Sequence, residues 1–166
     1  MRKKIFLTAL AMLMILCGCG RKTDDNQEIN TQNIQEDSQL NTVDEELGEI
    51  IAKITSDIGE MPMTENIPLN EEGFKSFTFV DYIEGSVGVA NEPMMSSIAH
   101  SVVLVKLPKG RDSAAFANEM KINANPRKWL CVEAEKVSVA AKGQLALLVM
   151  SSEVVTDKIV DNFKNL

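Results

Sequence analysis

The 166-residue chain is poor in the residues that most chemistry needs. It holds one histidine, one tryptophan, one tyrosine and three cysteines. A single imidazole excludes a histidine-rich metal centre. Three cysteines, two of them at Cys17 and Cys19 beside an apolar run, leave no second pair to complete a four-ligand zinc set. No glycine-rich phosphate loop, metalloprotease helix, Ca²⁺ loop or G-x-S-x-G turn is present. Basic residues are outnumbered, 17 against 24 acidic. No segment reaches the roughly eighteen apolar residues of a membrane-spanning helix.

What is there begins at the N-terminus. Arg2, Lys3 and Lys4 are followed by Ile5 to Leu16, uncharged and with Thr8 the only polar residue. Basic, apolar and then small is the order of an export signal. Leu16-Cys17-Gly18-Cys19 resembles the box that closes a bacterial lipoprotein signal peptide, with Leu16 at −3 and Gly18 at −1. Counting from Cys17 puts bulky Leu16 at −1, so Cys19 is the expected lipidation site and Cys17 leaves with residues 1–18. Two acyl chains give stable anchoring where one gives marginal binding. The expectation is a protein lipid-anchored to the outer face of the cell membrane.

Removing Arg2, Lys3 and Lys4 leaves 14 basic residues against 24 acidic, about −10. That charge opposes nucleic acid and anionic surfaces. With Cys19 lipidated, Cys131 has no partner. In Trp129-Leu130-Cys131-Val132 it reads as a small buried hydrophobe, with a reactive thiol the lesser alternative.

Residues 19–41 read as the lipidated cysteine and a disordered polar tether. Gly20 to Asn41 has no aromatic residue and is rich in Asn, Gln, Asp and Glu, too little apolar surface to offset ordering. Such a coil reaches about 25 Å. Residues 42–166 read as one α+β domain. A helix is expected from Thr42, with Glu45 at capping-box spacing. Leu47, Ile50, Ile51, Ile54 and Ile58 form its apolar stripe, and Gly59 and Pro62 stop it. Its polar face is acidic (Glu45, Glu46, Glu49, Asp57), unlike a membrane-surface helix.

Residues 60–85 give no clear element, although Phe74, Phe77 and Phe79 read as anchors on the domain. Val87 and Val89 mark a short strand, Asn91 to Ser97 a loop, and Ser101 to Leu107 a buried strand. Asp112 caps a helix carrying Phe116, Met120 and Ala124, ended by Pro126. Val137 and Val139 alternate as a half-buried strand. Lys142-Gly143 is a turn candidate, and Leu145 to Met150 a second buried strand. Ser151 or Ser152 caps a last helix with Val155, Ile159, Val160 and Phe163 inward. The expected fold is an N-terminal helix, then two strand-strand-helix units, forming a four-stranded, mainly antiparallel sheet with helices on one face.

The plan resembles a family of uncharacterised small clostridial lipoproteins defined by a domain of unknown function. The shared features are the lipobox, the polar tether, Pro93-Met94-Met95, the Lys109-Gly110-Arg111-Asp112 turn before a helix, and the Lys-Gly turn before "LALLVMSS". The resemblance covers residues 44 to 165 and departs at "NANPRKWL". It implies an extracytoplasmic α+β domain and assigns no catalytic residue.

His100 beside a buried strand reads as a satisfied core or edge histidine. A general base needs an orienting partner and a nucleophile. Met61, Met63, Met94 and Met95 with His100 are soft-ligand candidates for Cu(I). Adaptable packing is the simpler account, and two methionine segments far apart in the sequence argue against tight copper binding. No catalytic, cofactor or metal residue is assigned. The expectation is a non-enzymatic module that binds a protein or cell-wall partner. The alternative is a small-ligand or metal-binding lipoprotein serving a transporter.

Overall fold

The computed structural model describes residues 31–166, with side chains described from Thr42 onward. The signal segment, Cys17, Cys19 and the first part of the tether lie outside the described residues. The elements are α1 (Thr31–Thr55), β1 (Thr64–Leu69), α2 (Glu71–Thr78), β2 (Val87–Pro93), β3 (Ser101–Lys106), α3 (Ser113–Asn123), β4 (Lys136–Lys142), β5 (Leu145–Ser151) and α4 (Glu153–Lys164). The fold is α+β, as expected, but the sheet has five strands rather than four. Its order is β1-β2-β3-β5-β4, antiparallel throughout.

The helices lie on both faces of the sheet, not on one. The central strands impose this. Val102 to Val105 and Ala146 to Met150 are buried at every position, and successive side chains of a strand point to opposite faces. Val103, Val105, Leu148 and Met150 pack with Phe74 of α2 and Phe116, Ala117 and Met120 of α3. Val102, Leu104, Leu147 and Val149 pack with Leu47, Ile51 and Ile54 of α1 and Ile159, Val160 and Phe163 of α4. One layer of helices would leave half of each central strand in water, at about 25 cal/mol per Å².

The local signals act as physics requires. The Asp112 carboxylate accepts N–H bonds from Ala114 and Ala115 at 2.9 and 3.0 Å and starts α3. At α4 the cap position is Ser152, but its side chain makes no capping bond. The Glu135 carboxylate accepts the Glu153 N–H instead, at 3.0 Å. The β4–β5 turn is Gly143-Gln144, one residue beyond the expected pair, with Gly143 at φ +60°.

Three boundaries differ from expectation. α1 starts at Thr31, so Thr42 lies inside the helix and the helix takes in residues 31–41 of the expected tether. β2 runs on through Asn91 and Glu92 to Pro93, where a loop was expected. Residues 60–85, unassigned in sequence, supply β1 and α2. The Asn70 side chain caps α2 by accepting the Gly73 N–H at 2.8 Å, and Phe79 ends it in the left-handed region at φ +63°.

α1 crosses β1 at Gly48. A Cβ there would sit 3.2 Å from the Asn66 amide nitrogen, and Asn66 in turn accepts a 2.8 Å bond from Asn91. Asp44 of α1 lies beside Pro68, Leu69 and Val87.

Among the described side chains of α1, Leu47 is the first in the core. A chain starting at Thr42 is therefore expected to unfold cooperatively, with the same urea midpoint as a longer one. A coil-like far-ultraviolet circular dichroism spectrum from residues 42–166 rules that out.

Candidate functional site

The chemistry-bearing side chains gather at the Thr64–Pro93 end of the sheet. Glu92 of β2 and Ser101 of β3 stand side by side there, and the Ser101 hydroxyl donates to Glu92 Oε1. Lys128 reaches them from the irregular segment between α3 and β4. Its Nζ lies 2.7 Å from Glu92 Oε1 and 3.2 Å from Ser101 Oγ. The ammonium also sits 5.3 Å from the Phe77 ring centre and 5.2 Å from that of Trp129, within cation–π range. The two charged side chains retain only 16% and 11% of their exposure. Burial lowers the Lys128 pKa from its ordinary value, and the charge and hydrogen bond of Glu92 oppose that fall.

The 124–135 segment is fastened around this pair. Leu130 N–H donates to Ser96 C=O at 3.2 Å and Ala134 N–H to Pro126 C=O at 2.9 Å. Arg127 pairs with Glu133 at 2.7 Å, an exposed bridge of small energetic weight. The buried pair is another matter. It is costly to desolvate, and removing one partner strands the other.

His100 precedes Ser101 in the chain, yet the strand alternation turns it to the other face. There Nδ1 lies 3.0 Å from Ser151 Oγ, while Nε2 is buried with no hydrogen-bond partner. The histidine is 1% exposed and Ser151 5%. This is a core histidine, but only half satisfied. Desolvation first and the Lys128 charge second lower its pKa from 6.5 to about 4. A serine–histidine contact sealed from solvent, with no carboxylate on the second ring nitrogen, lacks both access and orientation for nucleophilic chemistry.

Cys131 is exposed, which corrects the expectation of a small buried hydrophobe. It adopts φ +61° in the segment that Lys128 anchors, so its side chain is turned out where neighbouring Trp129 is turned in. Met61 is half-buried against the core, as packing predicts. Met63, Met94 and Met95 are 78%, 60% and 59% exposed, so packing does not account for them. Nor are the two methionine segments apart in space. Thr64 pairs with Pro93, and Met94 N–H donates to Met63 C=O at 3.0 Å.

Sequence reading missed Glu92 and Lys128. Asn91-Glu92-Pro93 has loop composition, and only its pairing with β1 and β3 makes it a strand. The Lys128-Trp129 adjacency was the one legible hint of a cation with aromatic cover. Among the described residues no group of three His, Cys, Asp or Glu side chains is placed to hold a metal ion. No helix among them is long and apolar enough to cross a membrane. No family model, curated protein or solved structure matches the chain.

Lys128→Met is expected to cost about 3–5 kcal/mol, because Glu92 is left charged and buried. The Lys128→Met/Glu92→Gln double variant should recover much of that loss. Urea denaturation of the four members of the cycle reads the coupling, and strictly additive losses would show that the two groups do not interact.

The histidine gives a pH dependence of defined sign. Its folded pKa of about 4 lies below the unfolded 6.5, so the unfolded chain takes up the proton first. The stability associated with the neutral ring is complete above pH 6.5 and is lost as pH falls through 6.5 towards 4. The loss is about 2 kcal/mol by pH 5. Between pH 7 and 5, His100→Gln should lose correspondingly less stability than wild type. Parallel curves for the two proteins contradict the assignment.

Proposed function

We propose that the protein is an envelope lipoprotein, anchored to the outer face of the cell membrane through Cys19. In this reading it presents its α+β domain to a protein or cell-wall partner and performs no catalysis. The observation that carries the anchor is the Leu16-Cys17-Gly18-Cys19 box behind a basic and apolar leader. The clostridial lipoprotein resemblance points the same way. A binding role is supported by the end of the sheet that bears Met63, Met94, Met95 and Leu130, four of the six large apolar side chains exposed among the described residues. Exposed apolar clusters of this kind mark interaction surfaces, and the Leu130 N–H bond to the Ser96 carbonyl ties the 124–135 segment to this one. The non-enzymatic reading is supported by the burial of Ser101, Ser151 and His100.

A second reading, a small-ligand or metal-binding lipoprotein serving a transporter, draws on the cleft of about 690 Å³ between α1 and β1. Asp44, Glu45 and Glu49 line it, with Gly48, Asn66 and Pro68. Most of these residues are exposed, which makes the cleft an acidic surface groove rather than an enclosed pocket, and ranks this reading second.

The anchor is tested by metabolic labelling with a tagged palmitate analogue, followed by membrane fractionation. Label and membrane association are expected in wild type and in Cys17→Ala, and neither in Cys19→Ala, which has lost the thiol that the diacylglycerol joins. Label lost from Cys17→Ala but kept by Cys19→Ala reverses the choice of cysteine. Label unaffected by either change ends the lipoprotein reading.

A further inference from the structure

The three exposed methionines are unlike the others in the fold. Met120 and Met150 are fully buried and Met61 is half-buried, each packed in the core. Met63, Met94 and Met95 project into water at one end of the sheet. Exposed apolar side chains gain nothing from burial, so shape-filling, the ordinary use of methionine, explains none of the three. Their placement is specific. The β1–β2 ladder runs from Leu69 opposite Gly88 to Thr64 opposite Pro93, and the Met94 N–H bond to the Met63 carbonyl extends it by one rung. Met63 and Met94 are thus directly opposed. The Cβ atoms of such a cross-strand pair lie about 5 Å apart, within the span that two three-rotor thioether side chains close onto a shared ion. Met95 follows Met94 at a turn, closed by Ile98 N–H on Met95 C=O at 3.2 Å.

We infer that Met63, Met94 and Met95 form a thioether site for a soft monovalent cation, Cu(I) or its analogue Ag(I). Three features select this ligand class. Thioether sulfur prefers soft ions and binds hard ones poorly. The single imidazole is sealed on the other face of the sheet, and no cluster of His, Cys, Asp or Glu competes among the described residues. A chain of net charge −7 draws a cation toward its surface. Thioethers are neutral, so binding needs no proton release and is expected to change little between pH 5 and 8. A site built on cysteine or histidine would show a marked pH dependence there. The inference goes beyond the interaction reading and does not depend on the lipid anchor.

The test uses the full chain in detergent with Cys17, Cys19 and Cys131 replaced by serine, so that thiols do not contribute. Cu(I), kept in solution by acetonitrile as a weak competing ligand, is titrated anaerobically. One equivalent is expected to bind, at about micromolar affinity or tighter. The Met63→Leu/Met94→Leu/Met95→Leu variant keeps side-chain volume and should weaken binding about a hundredfold, whereas Met61→Leu should not. In a chain with labelled methionine methyls, Ag(I) should shift three of the nine methyl resonances, and the triple variant identifies which three. No saturable binding by the cysteine-free chain, binding undiminished in the triple variant, or methyl shifts spread over the buried methionines would each overturn the site.

Discussion

The two-sided burial of β3 and β5 is the constraint on which the rest of this structure depends. These strands carry apolar side chains at nearly every position, with no polar face to give to water. Each face must be covered, and each cover must be apolar on one side only. α1 with α4, and α2 with α3, meet that requirement from opposite sides. The flanking strands β1, β2 and β4 extend the hydrogen-bonded ladder to edges that are polar or half-buried. Lys136, at the start of β4, faces Glu153 and Asp157 at 3.2 and 2.7 Å. That bridge is largely exposed and contributes little to stability. It does place charge at a sheet edge, where unpaired backbone otherwise invites association.

The apolar sheet ends on one side in a set of polar groups. Glu92, Ser101, His100 and Ser151 sit where β2, β3 and β5 reach the same end of the ladder. Alternation sorts them by face. Glu92 and Ser101 turn toward α2 and α3, where Lys128 answers the carboxylate. His100 and Ser151 turn toward α1 and α4, where the hydroxyl of Ser151 is the partner of Nδ1 and Nε2 has none. Burial acts on both cations in the same direction. Lys128 has a carboxylate 2.7 Å away to oppose it, and His100 has only a hydroxyl. The same physical term therefore yields a paired ammonium on one face and a neutral imidazole on the other.

How far the sequence disclosed this follows from the range of each signal. α3, β3 and β5 were legible because Asp112, Pro126 and the Val/Leu runs act over a few residues. Ile159, Val160 and Phe163 were legible as a 3.6-residue stripe. β1 and α2 were not. The strand "TENIPL" contains a proline, lies at a sheet edge and buries only Leu69 fully, so its strand character comes from pairing with β2 rather than from its own pattern. Two-faced helix cover was missed because a continuous apolar run states that a strand is buried without stating by what. Cys131 was misread for a related reason. Its neighbours are apolar, but a left-handed φ of +61° turns it away from them, and no local propensity announces that angle. Glu92 and Lys128 are 36 residues apart, and a contact at that distance leaves no periodic trace.

The exposed methionines and the buried ion pair occupy one region for a reason that links stability to binding. Glu92 lies two residues before Met94, and Lys128 two before Leu130, whose N–H is bound to Ser96. The ion pair thus fixes both backbones that present the exposed side chains. A buried ion pair seldom gains net stability over an apolar replacement, so its use here is better explained by position than by energy. It holds the 124–135 segment against the end of β2. Flexible thioethers on a fixed backbone are a suitable arrangement for capture. The backbone entropy is lost when the chain folds, and only the side-chain rotors remain to be ordered when a ligand arrives.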